Sequence, residues 1–396
     1  MNSEQRPGGP DRAFKLIVSG GGTGGHTYPA LTAVRALQAR LAAGGRTVDV
    51  LWIGKAGGLE QQVAEAEGIR FASVATGKIR RASNPLKMIS AANVKDMGRV
   101  PFGVLQARTM VAHFRPDAVL TTGGYVAVPV GLATKLCRRP LVIHEQTVRL
   151  GLTNSLLARA ATCVAVSSES TLPLLPAGTA QNAVVTGNPV RPELLHGQPD
   201  KAVQALGLHG FASNLPTVYV TGGAQGAKQI NNVIRDGLPG LLTKANVIHQ
   251  CGRGNAADLQ GAAASLPREL AGRYMVTDYV GPELPDVFAL ADVVISRSGA
   301  GTIAELTALG KASVLVPYAE SAANEQFHNA QNLATVGAAI ALLDKVSVET
   351  LSAALTPLLA DAGRREQIAR QARLRGRPDA AERLVDAVLA AAAAPR

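Results

Sequence analysis

The sequence predicts an α/β protein made of two doubly wound domains, each built on a parallel sheet. Short apolar runs alternate with helical patterns along the chain, which is typical of parallel strands joined by crossover helices. Two strand–glycine–helix openings, at residues 16–26 and 218–228, lie about half a chain apart. The length of 396 residues also exceeds the usual limit for a single core, so we expect two domains.

The first half opens with an apolar run, a glycine loop and a helix predicted over residues 29–43. Residues 1–12 precede them and are expected to form a flexible tail. One glycine and two prolines within residues 186–192 mark a hinge before the second half. The predicted strands of this half cover residues 14–19, 48–53, 118–121, 141–144, 163–166 and 184–186.

The second half repeats this plan, with a strand at residues 217–221, two glycines, and a helix that begins near Lys228. The stretch from Arg364 is rich in Arg and Ala and is predicted to be helical. Later strands are predicted at residues 247–250, 274–277, 293–296 and 313–316, and helices at residues 286–291, 303–309 and 324–336.

The composition excludes several classes of protein. With 47% hydrophobic and 17% charged residues, the chain is too apolar to be mostly disordered. Its 3 cysteines are far apart, which excludes a disulfide framework and a cysteine-rich zinc site and fits a reducing cytosol. No apolar run reaches the roughly 18 residues of a spanning helix, and we expect no secretory signal.

The formal charge of +11 indicates an anionic partner. Nucleic acid, an anionic membrane surface and a phosphorylated substrate are the candidates. Aromatic residues make up only 4% of the chain, which supplies few platforms for stacking bases. We therefore expect no nucleic-acid partner.

The glycines of residues 20–26 follow a strand and precede a helix, so the backbone there can approach an anionic ligand closely. They match G-x-G-x-x-G, but the next strand ends Trp-Ile-Gly-Lys, without the acidic residue of a dinucleotide site. That difference argues against a nicotinamide cofactor, and no Gly-Lys-Ser/Thr follows to form a Walker loop. His26 either hydrogen-bonds at the helix start or acts as a general base, and its spacing leaves both roles open.

Two more loops of small residues, 222–228 and 297–305, occur in the second half. The later one resembles a phosphate cradle, because its small residues expose several backbone N–H groups at a helix start. Glu305 lies one turn into that helix. It either balances the helix macrodipole or accepts hydrogen bonds from a ribose diol, and the pattern alone does not choose between these roles.

Eight stretches of this sequence, taken in order, resemble the MurG family of bacterial peptidoglycan glycosyltransferases. They cover nearly the whole chain, and the combination of GGTGGH, TGNPVR and RSGAxTxxE is far more specific than any one glycine loop. The stretches are GGGTGGHTYPAL (20–31), TTGGYVAVPVGLA (121–133), HEQ (144–146), GLTN (151–154), TGNPVR (186–191), TGGAQGA (221–227), ADVVISRSGAGTIAEL (291–306) and NEQFHNA (324–330).

The resemblance implies a GT-B fold, with two doubly wound Rossmann-like domains and an interdomain cleft. Residues 13–188, completed by a C-terminal helix at 376–396, would form the acceptor and membrane-facing domain, and residues 189–375 would bind the UDP-sugar donor. The implied reaction is inverting transfer of N-acetylglucosamine from UDP-N-acetylglucosamine to the 4-hydroxyl of lipid I (undecaprenyl-pyrophosphoryl-MurNAc-pentapeptide), giving lipid II. The alternatives are another GT-B nucleotide-sugar transferase that acts on a glycolipid, and a non-catalytic nucleotide-sugar-binding scaffold.

The resemblance also implies roles for single residues. His26 and Glu145 are the candidate acceptors of the hydroxyl proton, with His26 ranked first, and Tyr125 and His144 would lie on the acceptor side. No Asp-x-Asp pair occurs in the chain, so no metal ion is demanded, and no cofactor is implied. The remaining residues would bind UDP-N-acetylglucosamine. The pyrophosphate would contact the backbone amides of Ala300, Gly301 and Thr302, and Arg191 would bind a phosphate. Glu305 would bind the ribose, Val280 the uracil and Gln326 the sugar hydroxyls, while Thr23, Gly24 and Gly25 would approach from the first domain.

Three positions depart from the family pattern, and each affects one donor contact. Thr147 stands where the family usually has Asn, Ala224 where it usually has Ser, and Glu325 where His or Gln is commoner. Thr147 and Ala224 are kept as donor-binding positions. The loss of one neutral hydrogen bond is worth about 1 kcal/mol, which is too little to reject the assignment.

A basic segment accounts for much of the excess charge. Residues 78–108 carry a net +6 among interleaved apolar residues, and residues 364–396 carry a further +4. The first segment is either an ordinary solvated helix and loop or a surface that binds anionic lipid. The resemblance favours the second and implies peripheral association with the cytoplasmic face of the cell membrane. The basic residues of the first segment are Lys78, Arg80, Arg81, Lys87, Lys95, Arg99 and Arg108.

Overall fold

The structure, a computed structural model, describes residues 12–77 and 91–394, and of residues 91–97 it describes the backbone alone. The chain forms two compact units. Unit 1 holds the chain up to Pro189 and again from Asp379, and unit 2 spans Val190–Pro378. The expected tail at residues 1–12 lies outside the described residues, except for Arg12.

Unit 1 contains a sheet of seven parallel strands in the order β3-β2-β1-β4-β5-β6-β7. The strands are β1 (Phe14–Gly20), β2 (Val48–Gly54), β3 (Arg70–Ser73), β4 (Ala118–Gly123), β5 (Leu141–Glu145), β6 (Cys163–Val166) and β7 (Ala183–Val185). The helices are α1 (Gly24–Ala43), α2 (Leu59–Ala66), α3 (Ala91–Phe114), α4 (Ala127–Leu136), α5 (Leu152–Leu157) and the last helix of the chain, α15 (Ala380–Ala393).

Helices cover both faces of this sheet, which is why its strands are apolar throughout. On one face Val18 packs with Leu37 of α1 and Leu384 of α15. On the other face Ile17 packs with Val111 of α3. The last helix of the chain is therefore part of the hydrophobic core of unit 1.

Unit 2 contains a sheet of six parallel strands in the order β10-β9-β8-β11-β12-β13. The strands are β8 (Thr217–Thr221), β9 (Asn246–Gln250), β10 (Tyr274–Thr277), β11 (Val293–Ser296), β12 (Ala312–Leu315) and β13 (Ile340–Ala341). The helices are α6 (Pro199–Ala205), α7 (Lys228–Leu242), α8 (Ala256–Ala264), α9 (Arg268–Ala271), α10 (Leu284–Leu290), α11 (Ala300–Leu309), α12 (Glu325–Thr335), α13 (Val348–Ala360) and α14 (Ala362–Arg375).

The second sheet is also covered on both faces. Val220 packs with Ile234 of α7 and Leu358 of α13 on one side, and Tyr219 packs with Phe288 of α10 on the other. The prediction of two doubly wound α/β domains is therefore confirmed. In each sheet the strand order reverses beside the first strand, between β1 and β4 and between β8 and β11. Loops at the carboxyl ends of strands diverge at such a point and leave a crevice for a ligand.

Several predicted boundaries were wrong. Helix α1 begins at Gly24 instead of residue 29, so Pro29 lies inside the helix and is buried there. Packing of this face outweighs the hydrogen bond that the proline removes. Strands β3 and β13 were not predicted. They are short edge strands whose pairing with one neighbour, rather than their own pattern, makes them extended. The helices that were not predicted are α2, α4, α5, α6, α8, α9 and α13.

Candidate active site

Two glycine loops of unit 1 meet at the carboxyl ends of β1 and β4. A Cβ on Gly20 would lie 1.8 Å from the Oγ1 atom of Thr122, and a Cβ on Gly124 would lie 2.3 Å from the carbonyl oxygen of Gly21. Only glycine allows the two loops to approach this closely. The register of β1 against β4 shifts at Gly20, where this contact begins.

A buried carboxylate lies beneath the first glycine loop. Glu60 of α2 has no exposed surface, and it accepts hydrogen bonds from the backbone N–H of Gly22 at 3.1 Å and of Lys55 at 3.0 Å. Side chains on Gly21 or Gly58 would collide with this carboxylate. The backbone N–H groups of this loop therefore already bind a carboxylate that belongs to the protein itself.

The tip of this loop leads into α1. Gly22 adopts a φ of +83°, and its Cα faces the ring of Tyr125, since a Cβ there would lie 3.0 Å from the ring atom Cε1. Thr23 is the N-cap of α1, and its side chain makes no capping hydrogen bond. Thr23 and Gly25 are exposed and Gly24 is half-buried, so the start of the helix is accessible.

His26 lies in the first turn of α1 and contacts the end of β4 and the residue that follows β5. Its Nδ1 atom is 2.7 Å from the carbonyl oxygen of Thr122 and 3.0 Å from Oε1 of Gln146. Both partners are oxygen acceptors, so Nδ1 carries the ring proton and Nε2 presents a lone pair. No hydrogen-bond partner of Nε2 is found among the described residues, which leaves this atom free to accept a proton.

His144, at the end of β5, is linked to His26 through Gln146. Its Nε2 atom lies 2.9 Å from the carbonyl oxygen of Gly187, and its Nδ1 atom lies 3.1 Å from Nε2 of Gln146. Burial lowers the pKa of His144 to about 4; the Gly187 carbonyl opposes this change and His26 adds to it. The ring is therefore neutral near pH 7, donates from Nε2 and accepts at Nδ1.

Glu145 is buried, and both of its carboxylate oxygens accept hydrogen bonds. One carboxylate oxygen accepts from the backbone N–H and the hydroxyl of Thr147, at 3.1 and 2.9 Å. The other accepts from the backbone N–H of Gly151 at 2.8 Å and from Nδ2 of Asn154 at 2.9 Å. A carboxylate has about four acceptor sites, and three of them accept from N–H groups here; the single hydroxyl hydrogen of Thr147 is shared with the carbonyl of Arg149 at 2.5 Å. Glu145 thus holds the loop between β5 and α5, and Thr147 bonds within that loop.

In unit 2, helix α11 begins with three backbone N–H groups that bond to no acceptor in the described part of the chain. They belong to Ala300, Gly301 and Thr302, and the first turn of the helix contains no acidic residue. Side chains added at Gly299 or Gly301 would meet open space. Free N–H groups and the positive end of the helix dipole make this an anion-binding geometry.

Arg191 and Glu305 lie together near this helix start. The Nη2 atom of Arg191 is 3.4 Å from Oε1 of Glu305, and the two side chains are 42% and 22% exposed. Burial raises the pKa of Glu305 above its ordinary value, while Arg191 opposes that rise. The pair presents one guanidinium and one carboxylate beside the open N–H groups.

The second glycine loop, after β8, is held by Gln250. Its Nε2 atom donates to the hydroxyl of Thr221 and the carbonyl of Gly223, at 3.1 and 3.2 Å. Its Oε1 atom accepts from the backbone N–H of Val280 at 3.0 Å. The N–H of Val280 is therefore occupied. Of its two backbone polar groups, only the carbonyl is left to bond to a nucleobase. Ala224 is exposed on the same loop.

The loop between β11 and α11 is tied to β12 and α12. The Nη1 atom of Arg297 donates to the carbonyl oxygens of Val316 and Pro317, at 3.1 and 2.9 Å. The hydroxyl of Ser298 donates to the backbone carbonyl of Gln326 at 2.7 Å. The Oε1 atom of Gln326 accepts from the N–H of Tyr318 at 3.0 Å, which leaves its amide nitrogen for a ligand.

The sequence matches two domains of one enzyme family. The glycosyltransferase family 28 N-terminal domain matches residues 16–166, and the family 28 C-terminal domain matches residues 217–384. The UDP-N-acetylglucosamine–N-acetylmuramyl-(pentapeptide) pyrophosphoryl-undecaprenol N-acetylglucosamine transferase of Limosilactobacillus fermentum is 36% identical over 94% of this chain and 97% of its own. The chain belongs to the MurG family.

Other relatives agree with this MurG-family membership. The transferase of the same description, numbered 2, from Bacillus cereus is 35% identical over 85% of this chain and 89% of its own. The crystal structure of Acinetobacter baumannii MurG has a TM-score of 0.73 at 27% identity and covers 95% of this chain and 99% of its own. The resemblance predicted from the motifs is confirmed, and this MurG-family chain is a glycosyltransferase.

The structure brings together several predicted residues within each unit of this MurG-family chain. In unit 1, His26, His144 and Glu145 join one buried polar network, and Tyr125 covers the neighbouring loop. In unit 2, Arg191 pairs with Glu305 beside α11. The contacts of these residues with substrates remain predictions.

Sequence reasoning did not single out Glu60, Gln146, Gln250 or Arg297. Gln146 and Arg297 stand inside quoted motifs, so the motifs themselves were the missed signal. Gln250 ends a predicted strand, where polar side chains favour a ligand crevice. Nothing in the sequence pointed to Glu60, because α2, the helix that carries it, was itself not predicted.

Part of the basic segment lies outside the described residues, namely Lys78, Arg80, Arg81 and Lys87, and the side chain of Lys95 is also outside them. Within the described residues, no helix is both long and apolar enough to cross a membrane. Those residues also contain no group of three His, Cys, Asp or Glu side chains placed to share a metal ion.

Proposed function

We propose that this chain transfers N-acetylglucosamine from UDP-N-acetylglucosamine to the 4-hydroxyl of lipid I, with inversion at the anomeric carbon, giving lipid II in peptidoglycan synthesis. The names of relatives that match 85–94% of the chain describe transfer of N-acetylglucosamine to this pyrophosphoryl-undecaprenol acceptor. The observation that carries the donor side is the open start of α11, with three free N–H groups and no acid in its first turn.

We assign the UDP moiety to unit 2. The backbone amides of Ala300, Gly301 and Thr302 would hold the pyrophosphate, and Arg191 would bind a phosphate oxygen. The carboxylate of Glu305 would accept two hydrogen bonds from the ribose diol. Negative charge develops on the departing UDP, and fixed N–H groups stabilise it without having to reorganise.

The uracil and sugar contacts would come from neighbouring loops of unit 2. Because Gln250 occupies the N–H of Val280, we expect the uracil N–H to donate to the Val280 carbonyl. The free amide nitrogen of Gln326 would donate to sugar hydroxyls. Ala224 is exposed on the glycine loop, and because its side chain has no polar group, only its backbone could bond to the donor.

We assign the proton transfer to His26. The acceptor hydroxyl gives its proton to Nε2 of His26 while its oxygen forms a bond to the anomeric carbon. The bond from that carbon to the UDP oxygen breaks, and its electron pair leaves with UDP. Glu145, the other candidate, accepts hydrogen bonds from three N–H donors of the segment that follows it, so it would hold that segment rather than take the proton.

The test uses radiolabelled UDP-N-acetylglucosamine and a lipid I analogue. We expect labelled disaccharide lipid, and His26→Ala lowers kcat by about 100- to 10,000-fold with unchanged UDP affinity. His209→Ala, at an exposed histidine of unit 2, serves as the matched control. Turnover on a different glycolipid alone would identify another GT-B transferase, and donor binding without any turnover would indicate a scaffold.

We also propose that unit 1 binds the cytoplasmic face of the membrane through α3. Phe102 and Leu105 on this helix are 58% and 60% exposed, and Arg99 and Arg108 are exposed beside them. Apolar side chains among cations favour anionic lipid, since burial of the apolar groups adds to the attraction of the charges.

Sedimentation with anionic vesicles tests this docking. Replacing Phe102 and Leu105 together by Ser is expected to weaken vesicle binding about tenfold, because two apolar side chains no longer enter the interface. Leu374→Ser, at a leucine of α14 that is 66% exposed, is the control. Equal sedimentation of the double variant and the wild type would refute the assignment to α3.

A further inference from the structure

Gln146 is the member of the HEQ motif to which the proposed function gives no role. Its side chain is only 4% exposed, and both ends of its amide are bonded. The Nε2 atom lies 3.1 Å from Nδ1 of His144 and donates to the carbonyl of that residue at 3.0 Å. The Oε1 atom lies 3.0 Å from Nδ1 of His26. Gln146 therefore connects the two histidines of unit 1.

One fixed acceptor sets the direction of each hydrogen bond in the series that links Gly187, His144, Gln146 and His26. The carbonyl of Gly187 can only accept, so Nε2 of neutral His144 carries the proton and its Nδ1 is a lone pair. That lone pair requires a donor, which orients the amide nitrogen of Gln146 toward His144. The amide oxygen then points at His26 and requires a proton on Nδ1 there.

We propose that Gln146 is a positioning residue that holds His26 in the form with a proton on Nδ1 and a lone pair on Nε2. This inference rests on the proposed role of His26 as the proton acceptor. The carbonyl of Thr122 supplies one acceptor to Nδ1 at 2.7 Å, and Gln146 supplies a second one from the side of His144. When Nε2 takes the proton, both oxygens stabilise the charged ring, and hydrogen bonds to charged groups are stronger than neutral ones.

An amide is the side chain that satisfies both rings at this length. Glutamate when ionised only accepts, so one of its oxygens would face the lone pair of His144. Leucine has a similar size but neither donates nor accepts, which would leave the His144 lone pair unpaired. Asparagine is one methylene shorter and does not span the same distance.

The first experiment reads the tautomer directly. The intact enzyme is labelled with 15N in its histidine rings, and the His26 signals are assigned with the His26→Ala variant. We expect a protonated Nδ1 and an unprotonated Nε2 in the wild type, and a larger share of the other tautomer in Gln146→Leu, where only the Thr122 carbonyl still accepts from Nδ1. A proton on Nε2 of wild-type His26 would overturn the proposal, whatever the outcome of the transfer assay.

The second experiment measures kinetics with the same donor and acceptor. We expect Gln146→Leu to lower kcat about tenfold to a hundredfold with the donor KM nearly unchanged, because one acceptor of the charged ring is lost. Val142→Ala, on strand β5 just before Gln146, is the control for general loosening of the core, and it should keep kcat. Wild-type kcat in Gln146→Leu would also overturn the proposal.

A double variant separates this role from a structural one. If Gln146 acts through His26, adding Gln146→Leu to His26→Ala lowers kcat no further. Equal, independent losses in the two backgrounds would contradict the link. If His26→Ala alone keeps full kcat, the proposed function of His26 fails, while the tautomer measurement still decides whether Gln146 orients the ring.

Discussion

The glycine loops after β1 and after β8 begin with a similar turn but have different partners. Gly22 and Gly223 stand at equivalent places, with φ of +83° and +81°. The N–H of Gly22 donates to the buried carboxylate of Glu60 at 3.1 Å, whereas the N–H of Gly223 donates to the hydroxyl of Thr221 at 3.0 Å. A side chain at Gly22 would collide with the ring of Tyr125, while a side chain at Gly223 would meet open space.

This difference shows that a strand–glycine–helix motif can either bind a carboxylate of the protein itself or stay open for a ligand. The loop of unit 1 already has a negative charge bound to its backbone, which disfavours a second anion there. Among the described residues, no carboxylate bonds to a backbone N–H of the glycine loop after β8 or of the start of α11, and Arg191 pairs with Glu305 of α11. The contrast supports our assignment of the UDP pyrophosphate to unit 2.

Removing the internal anion is expected to have the largest effect. Glu60→Ala leaves the N–H groups of Gly22 and Lys55 without their acceptor and opens a cavity, so the free energy of unfolding falls by about 3 kcal/mol. Chemical denaturation measures this loss. Glu65→Ala, on the exposed side of the same helix α2, is the control. Similar stabilities of the two variants would show that the loop of unit 1 does not depend on its carboxylate.

Each unit also holds one buried neutral histidine, and both histidines make the stability of the protein depend on pH. The pKa of His144 is about 4 and that of His249 about 3, both lowered mainly by burial. Because the unfolded chain binds the proton more tightly, stability is full above pH 6.5 and falls as the pH drops toward these values. His144 contributes about 3 kcal/mol to this fall.

The variant His144→Gln isolates the contribution of unit 1. Unfolding measured at several values between pH 7 and pH 4 should show a shallower loss of stability, with the contribution of His249 retained. An unchanged slope would mean that His144 does not titrate with unfolding.

A change in unit 2 is expected to act on the donor alone. Glu305→Ala removes the acceptor proposed for the ribose diol, so UDP affinity falls about thirtyfold, equivalent to about 2 kcal/mol. Calorimetric titration with UDP measures it, with Glu349→Ala on α13 as the control. Since burial raises the pKa of Glu305, UDP affinity of the wild type should fall as acidification protonates this carboxyl, and the variant should lack that dependence. Unchanged affinity would contradict the ribose role.

The smallest expected effect is a gain in UDP affinity. Ala224→Ser places a hydroxyl on the exposed glycine loop, where it can donate to a phosphate oxygen, so UDP affinity rises about fivefold, or about 1 kcal/mol. Ala264→Ser, at an exposed position of α8, is the matched control in the same titration. A loss of affinity in Ala224→Ser would show that the loop has no room for the side chain when UDP is bound.

The order of elements and the family could be predicted because their signals are local. Apolar runs identified the strands β1, β5 and β8, since a buried parallel strand must be apolar along its length. The small elements α2 and β3 were missed, because they take their conformation from the neighbouring strand β2. Motif spacing likewise identified His26 and Glu305 as candidates but left the role of each open.

The sequence alone determined the two β/α series, the glycine loops at their switch points and the MurG-family motifs, because each depends on residues close together in the chain. Only the tertiary structure decided which loop holds an internal anion and which histidine keeps a free lone pair. Glu60 reaches Gly22 across 38 positions, and Gln146 reaches His26 across 120. Hydrogen-bond partners so far apart are chosen by strand order and packing, which no local pattern specifies.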